Sequence, residues 1–250
     1  MVLSDMSANH PKLGDALRNC VRFCSVAVLG ISLAWQSAAA QSSQAVDTSA
    51  PNLMLVLREA TGTNKQAETL EPLGKLRARG SDGREVEFEL AAFAFLGDMH
   101  IRFVFDGPTS MRNATPQDLA RLQVNPAQAL ELAVANIKRV YGDPVAKPFV
   151  GGLMQVQGKS PDLNSSYFLD RGFWRDLLRQ HPQGIVAAVP KRGGLVFAPM
   201  SNGTAVDGLR RGVNYLYSSS GQMRVSSALY LFKDDHWTVF QPPQAQPRGP

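Results

Sequence analysis

The chain has 250 residues, with 26 Lys and Arg against 21 Asp and Glu for a formal net charge of +5, and only two cysteines. A chain of this size buries roughly 70% of its unfolded surface, enough for one large domain or two small ones. The positive charge is mild and scattered in pairs such as Lys138 with Arg139, Lys191 with Arg192 and Arg210 with Arg211, so no long basic block marks a nucleic-acid binder, and the surplus instead suits an anionic envelope polymer, a lipid surface or another protein.

The amino terminus reads as a secretory signal peptide over residues 1–40. Lys12, Arg18 and Arg22 form a positive leader, residues 23–35 are apolar, and Ala38, Ala39 and Ala40 precede Gln41 as a small-residue cleavage site. The apolar run falls short of the ~20 residues that span a bilayer, so the expected mature chain has no transmembrane span and is exported, periplasmic or secreted, after cleavage near Ala40–Gln41. Cys20 and Cys24 leave with the leader. That excludes disulfides, cysteine nucleophiles and thiolate metal sites from the mature protein.

Residues 41–50 are small and polar and read as a flexible linker. A β-rich lobe is expected over 51–114. It opens with the apolar run Leu53 to Leu57 and contains a hairpin in which Lys75, Arg77 and Arg79 alternate with Leu76 and Ala78, answered after Gly80 to Arg84 by Glu85, Glu87 and Glu89 alternating with Val86 and Phe88. One register pairs Arg79 with Glu85, Arg77 with Glu87 and Lys75 with Glu89, placing opposite charges on one face. The second strand is expected to run on through Ala91 to Leu96, and Ile101, Phe103 and Phe105 share one face of a following strand.

A second lobe is expected over 115–241. Thr115 and Asn125 each precede a proline and read as caps of a short and a long helix, the long one ending at Gly142. From Phe168 an amphipathic helix with Leu169, Phe173, Trp174, Leu177 and Leu178 on one side leads into a hairpin of Ile185 to Val189 and Leu195 to Phe197. The same order follows again, with a helix capped at Thr204 and a hairpin of Val225 to Phe232 and Trp237 to Phe240. The fold class is therefore α+β with antiparallel sheets: a β-rich amino-terminal lobe, then helix, hairpin, helix, hairpin. Residues 242–250 are rich in proline and glutamine and read as a disordered tail.

Through the phrases ANIKRVYG, SSYFLDRGFWRDLL and GIVAAVPKRGGLVFAP, residues 116–240 resemble the YtpQ-like family of bacterial proteins. The resemblance implies no activity, substrate or cofactor. It places a proline at Pro190, an arginine at Arg192 and an acidic residue next, where this chain has Gly193. Family members generally lack a signal peptide, so export is a further departure.

The sequence contains no GxSxG elbow, SxxK pair or HExxH helix. Gly158, Lys159 and Ser160 lack the upstream glycine of a phosphate loop. His181 suits a helix carboxyl end, and His236 after Asp234 and Asp235 suits a turn more than a metal site; no metal and no cofactor are expected. The better candidates are the cations. Arg171, Arg175 and Arg179 recur every four residues as a helical stripe, while Lys191 and Arg192 sit on a hairpin tip. The leading expectation is an exported, non-catalytic binding or interaction module of the bacterial envelope. The alternative is a hydrolase whose site joins Ser165 or Ser166, His100 or His181 and a carboxylate from distant parts of the chain. A face of arginines without a serine and histidine cluster favours the binder.

Overall fold

The computed structural model describes residues 45–80 and 82–244. The leader over 1–40, its cleavage site and most of the 242–250 tail lie outside the described residues. The regular elements are β1 (Leu53–Glu59), β2 (Glu71–Pro72), β3 (Lys75–Arg79), β4 (Glu85–Glu89), β5 (Ala92–Ala94), β6 (Met99–Asp106), β7 (Met111–Asn113), α1 (Pro116–Arg121), α2 (Pro126–Tyr141), β8 (Val145–Pro148), β9 (Met154–Gln157), α3 (Arg171–Gln180), β10 (Ile185–Lys191), β11 (Gly194–Pro199), α4 (Gly203–Ser218), β12 (Leu229–Lys233) and β13 (His236–Gln241). Every pairing between these strands is antiparallel. The fold is α+β with a β-rich amino-terminal part.

Charge alternation sets the first hairpin. β3 and β4 pair in the register that opposes Lys75 to Glu89, Arg77 to Glu87 and Arg79 to Glu85. The hairpin stands apart as a two-stranded sheet, with Val86 and Phe88 exposed. β4 does not continue through residues 91–96. The chain breaks at Leu90, and β5 joins a different sheet of order β1-β6-β5-β2 with β7 beside β6. The physical reason is burial: Ala91, Ala92 and Phe93 are covered, whereas all of β4 faces solvent.

The carboxyl-terminal half builds one six-stranded sheet, β13-β12-β10-β11-β9-β8. Both predicted hairpins lie in it side by side, and β8 and β9 complete it. Alternation along β10 and β11 splits the sheet into two apolar faces. Val186, Ala188, Val196 and Ala198 pack on Ala205, Val206, Leu209 and Val213 of α4. Ile185, Ala187, Leu195 and Phe197 face the larger core, which also takes Leu53, Leu55 and Phe103 from the amino-terminal sheet. The two lobes thus share one apolar core.

Two helix starts differ from expectation. Residues 161–169 form a 3-10 stretch, and α3 begins only after Asp170, whose carboxylate accepts from the Phe173 amide. Phe168 is thereby freed from the helix to stack on Trp237, with ring centroids 4.1 Å apart, and Trp174 meets Trp237 edge-on at 5.0 Å. Helix α4 is capped by Asn202 rather than Thr204, the Asn202 side chain accepting from the Ala205 amide at 3.1 Å. Thr115 and Asn125 both form capping boxes as their positions predict.

Candidate anion site

The site is assembled where the two sheets meet. On the amino-terminal sheet Arg58 lies opposite His100, and Arg102 sits two residues along β6, so all three project from one face. On the other side, β10 and β11 are joined by Arg192 and Gly193, and the Arg192 amide donates to the Met223 carbonyl at 2.9 Å. That bond, the Lys191–Arg224 bridge and the Val225 amide on the Pro190 carbonyl hold Arg192 and Arg224 together. Below them, Asp98 in the turn before β6 accepts from the hydroxyls of Ser226 and Tyr230, so a buried hydrogen-bond cluster ties the two sheets.

Gly193 occupies a backbone position that excludes a side chain. Its φ is +69°, in the region that favours glycine, and a Cβ there would fall inside contact with the Pro161 carbonyl. A side chain at this position has no room in this fold.

Electrostatically the cluster is under-compensated. Arg224 has Glu59 as counter-ion, Nε to Oε2 3.9 Å, and its guanidinium lies over the Tyr217 ring, whose hydroxyl bonds the same carboxylate. Among the described residues, Arg58, Arg102 and Arg192 have no carboxylate within ion-pair distance. Burial, then the charges of Arg192 and Arg102, push the Arg58 guanidinium down to about 10; burial and Arg192 also lower Arg102. His100 is 7% exposed, and burial first, then the Arg102 charge, pushes it down to about 4, with the Glu59 backbone opposing and Arg58 adding to the drop. Arg102 Nη2 lies 3.5 Å from His100 Nε2, so Nε2 serves as acceptor and the ring proton belongs on Nδ1. The buried Nε atoms of Arg102 and Arg192 have no hydrogen-bond partner among the described residues.

No family model, curated protein or solved structure matches this chain. What the site does must therefore be argued from its chemistry.

The structure sorts the predicted cations. Arg192 belongs to the cluster, and Lys191 is exposed beside it. The helical stripe is paired instead. Arg171 bonds Glu68 and the Asp235 carbonyl, Arg175 grips both carboxylate oxygens of Asp235 at 2.7 Å, and Arg179 bonds Asp176 at 2.6 Å. The contacts of Arg171 and Arg175 with Asp235 fasten α3 to the β12–β13 turn, while Arg179 pairs within the helix. Arg58, Arg102 and Arg224 were not among the predicted cations, although Ile101, Phe103 and Phe105 facing the core already required Arg102 to face the other way.

The hydrolase constellation does not assemble among the described residues. Ser165 and Ser166 are buried, and the Ser166 hydroxyl donates to the Leu55 carbonyl at 2.9 Å. His181 ends α3 through its backbone amide. Among the described residues no group of three or more His, Cys, Asp or Glu is placed to hold a metal ion, and no helix is long and apolar enough to cross a membrane. A cleft of about 920 Å³ opens between α2 and α3, lined by Phe95, Leu130, Val134 and Leu169. The cations lining it are paired, Lys138 with Asp170 at 3.3 Å, Arg171 with Glu68 and Arg175 with Asp235.

Proposed function

We propose that the protein is an exported, non-catalytic binding module of the bacterial envelope that holds an anionic partner at Arg58, Arg102 and Arg192. Export rests on the charged, apolar and small-residue order of the leader. The observation that carries the binding reading is that Arg58, Arg102 and Arg192 gather half-buried with no carboxylate in range among the described residues. Burying an unpaired charge is costly, and a fold that needed these residues only for stability would have neutralised them as it neutralised Arg171 and Arg175. The resemblance to the YtpQ-like family fits this reading, since it covers the turn carrying Arg192.

Retention of the cleaved chain on an anionic polymer column tests the proposal. Arg102→Ala and Arg192→Ala elute at lower salt than the wild type, while Arg175→Ala and Arg179→Ala elute with it. Unchanged elution of the first pair refutes this site.

A further inference from the structure

The geometry points to the terminal phosphoryl group of a phosphomonoester as the ligand of the Arg58, Arg102 and Arg192 cluster. This rests on the anion-binding reading above and narrows it by charge and shape.

Charge comes first. Glu59 offsets Arg224, which leaves three guanidiniums to neutralise. A carboxylate or a phosphodiester brings one negative charge. A phosphomonoester brings about 1.5 to 2, with three strong acceptor oxygens. Shape agrees. Arg58, Arg102 and Arg192 come from three different elements, β1, β6 and the β10–β11 turn. Arg58 and Arg102 rise from one face of the amino-terminal sheet and Arg192 from a turn of the other sheet, and three guanidiniums match the three oxygens of a phosphoryl group better than the two of a carboxylate. An extended polyanion would instead need a track of free cations. The stripe Arg171, Arg175 and Arg179 is engaged by Glu68, Asp235 and Asp176.

His100 adds no charge to the site between pH 5.5 and 8. Facing His100 are Arg58 across the strand pair, Arg102 along it and the Glu59 backbone, and the ring is held neutral throughout this range. The arginines stay protonated, so neither they nor His100 contribute a pH dependence in this window.

Calorimetric titration of the cleaved chain with glycerol phosphate, dimethyl phosphate and acetate tests the inference, together with sedimentation on vesicles containing phosphatidic acid or phosphatidylglycerol. Glycerol phosphate is expected to bind at least about tenfold more tightly than dimethyl phosphate or acetate, and about fourfold more tightly at pH 8 than at pH 5.5, following a second ionisation near 6. Arg102→Lys, which keeps the charge but loses the fork, is expected to weaken it as Arg192→Ala does. Sedimentation with phosphatidic acid but not phosphatidylglycerol assigns the phosphoryl group to a lipid; binding of the soluble ester alone assigns it to a free metabolite. Both uphold the site. Equal binding of acetate or the diester, or a flat pH profile, overturns the phosphoryl assignment and leaves the anion site standing. No binding of any anion by the wild type overturns both.

Discussion

Arg58 stands opposite His100 across the β1–β6 pair, a cation facing a buried imidazole on one face of the sheet. Burial first, then the charges of Arg102 and Arg58, makes protonation of the ring unfavourable. His100 is therefore neutral at physiological pH and adds no charge to the site.

This arrangement fixes a pH dependence of stability. The folded His100 titrates at about 4, below its ordinary 6.5, so the unfolded chain takes up the proton first as pH falls. The stabilisation is fully present above about 6.5 and is lost as pH drops towards 4, by at most about 3 kcal/mol. His100→Gln removes that loss. Urea midpoints at pH 7 and pH 4.5 should differ less in the variant than in the wild type; equal differences count against the assignment.

Removing a cluster arginine should stabilise the empty protein. Arg102 is depressed by burial and by Arg192 and finds no internal carboxylate among the described residues, so Arg102→Leu relieves repulsion and desolvation. The expected gain is about 1 kcal/mol. Added sulfate should raise the melting temperature of the wild type more than that of the variant, because a ligand stabilises only the state that binds it. A destabilised Arg102→Leu would place the arginine in the structural framework instead.

An acidic side chain placed at Gly193 tests the turn. Gly193→Asp must place a Cβ against the Pro161 carbonyl at a φ of +69°. A loss of about 2–4 kcal/mol in chemical denaturation is expected, with Gly193→Ala already showing part of it. A neutral Gly193→Asp would mean that the Pro161 segment yields easily.

Elements set by local patterns were legible from sequence. Alternating charge placed Arg77 opposite Glu87, and the prolines after Thr115 and Asn125 placed two helix starts. Legibility failed where tertiary burial overrode the local pattern. Apolar spacing from Leu169 onward suggested that the helix included it, yet the core takes Phe168 and Leu169 as a 3-10 stretch and leaves Asp170 to cap α3. The site failed for a related reason. Spacing every four residues marked Arg171, Arg175 and Arg179, but it carries no information about Glu68 and Asp235, which reach them from far along the chain. Arg58, Arg102, Arg192 and Arg224 share no sequence spacing at all; two sheets bring them together.

The register of the first hairpin can be read energetically. Arg77 Nε lies 3.1 Å from Glu87 Oε1 with both side chains largely in solvent, so a double-mutant cycle with Arg77→Ala and Glu87→Ala should give a coupling of about 0.5 kcal/mol that fades in high salt. A coupling of several kcal/mol would show the hairpin to be covered in solution.

The bond between the two halves depends on Asp98 as an acceptor more than as a charge. Burial is the largest influence on this carboxyl and raises it, while the hydroxyls of Ser226 and Tyr230 act to lower it. An amide keeps an oxygen for both hydroxyls and removes the desolvated charge, so Asp98→Asn should stay within about 1 kcal/mol of the wild type at pH 7. Asp98→Leu leaves two buried hydroxyls without their acceptor, and at about 1–3 kcal/mol for each the expected loss is several kcal/mol. The sign with pH follows from the raised value: the proton is favoured in the fold, so this group's contribution is greatest in acid and declines as pH rises through its folded pKa. Asp98→Asn should flatten that decline. If Asn and Leu prove equally damaging in thermal melts, the negative charge itself holds the two sheets together.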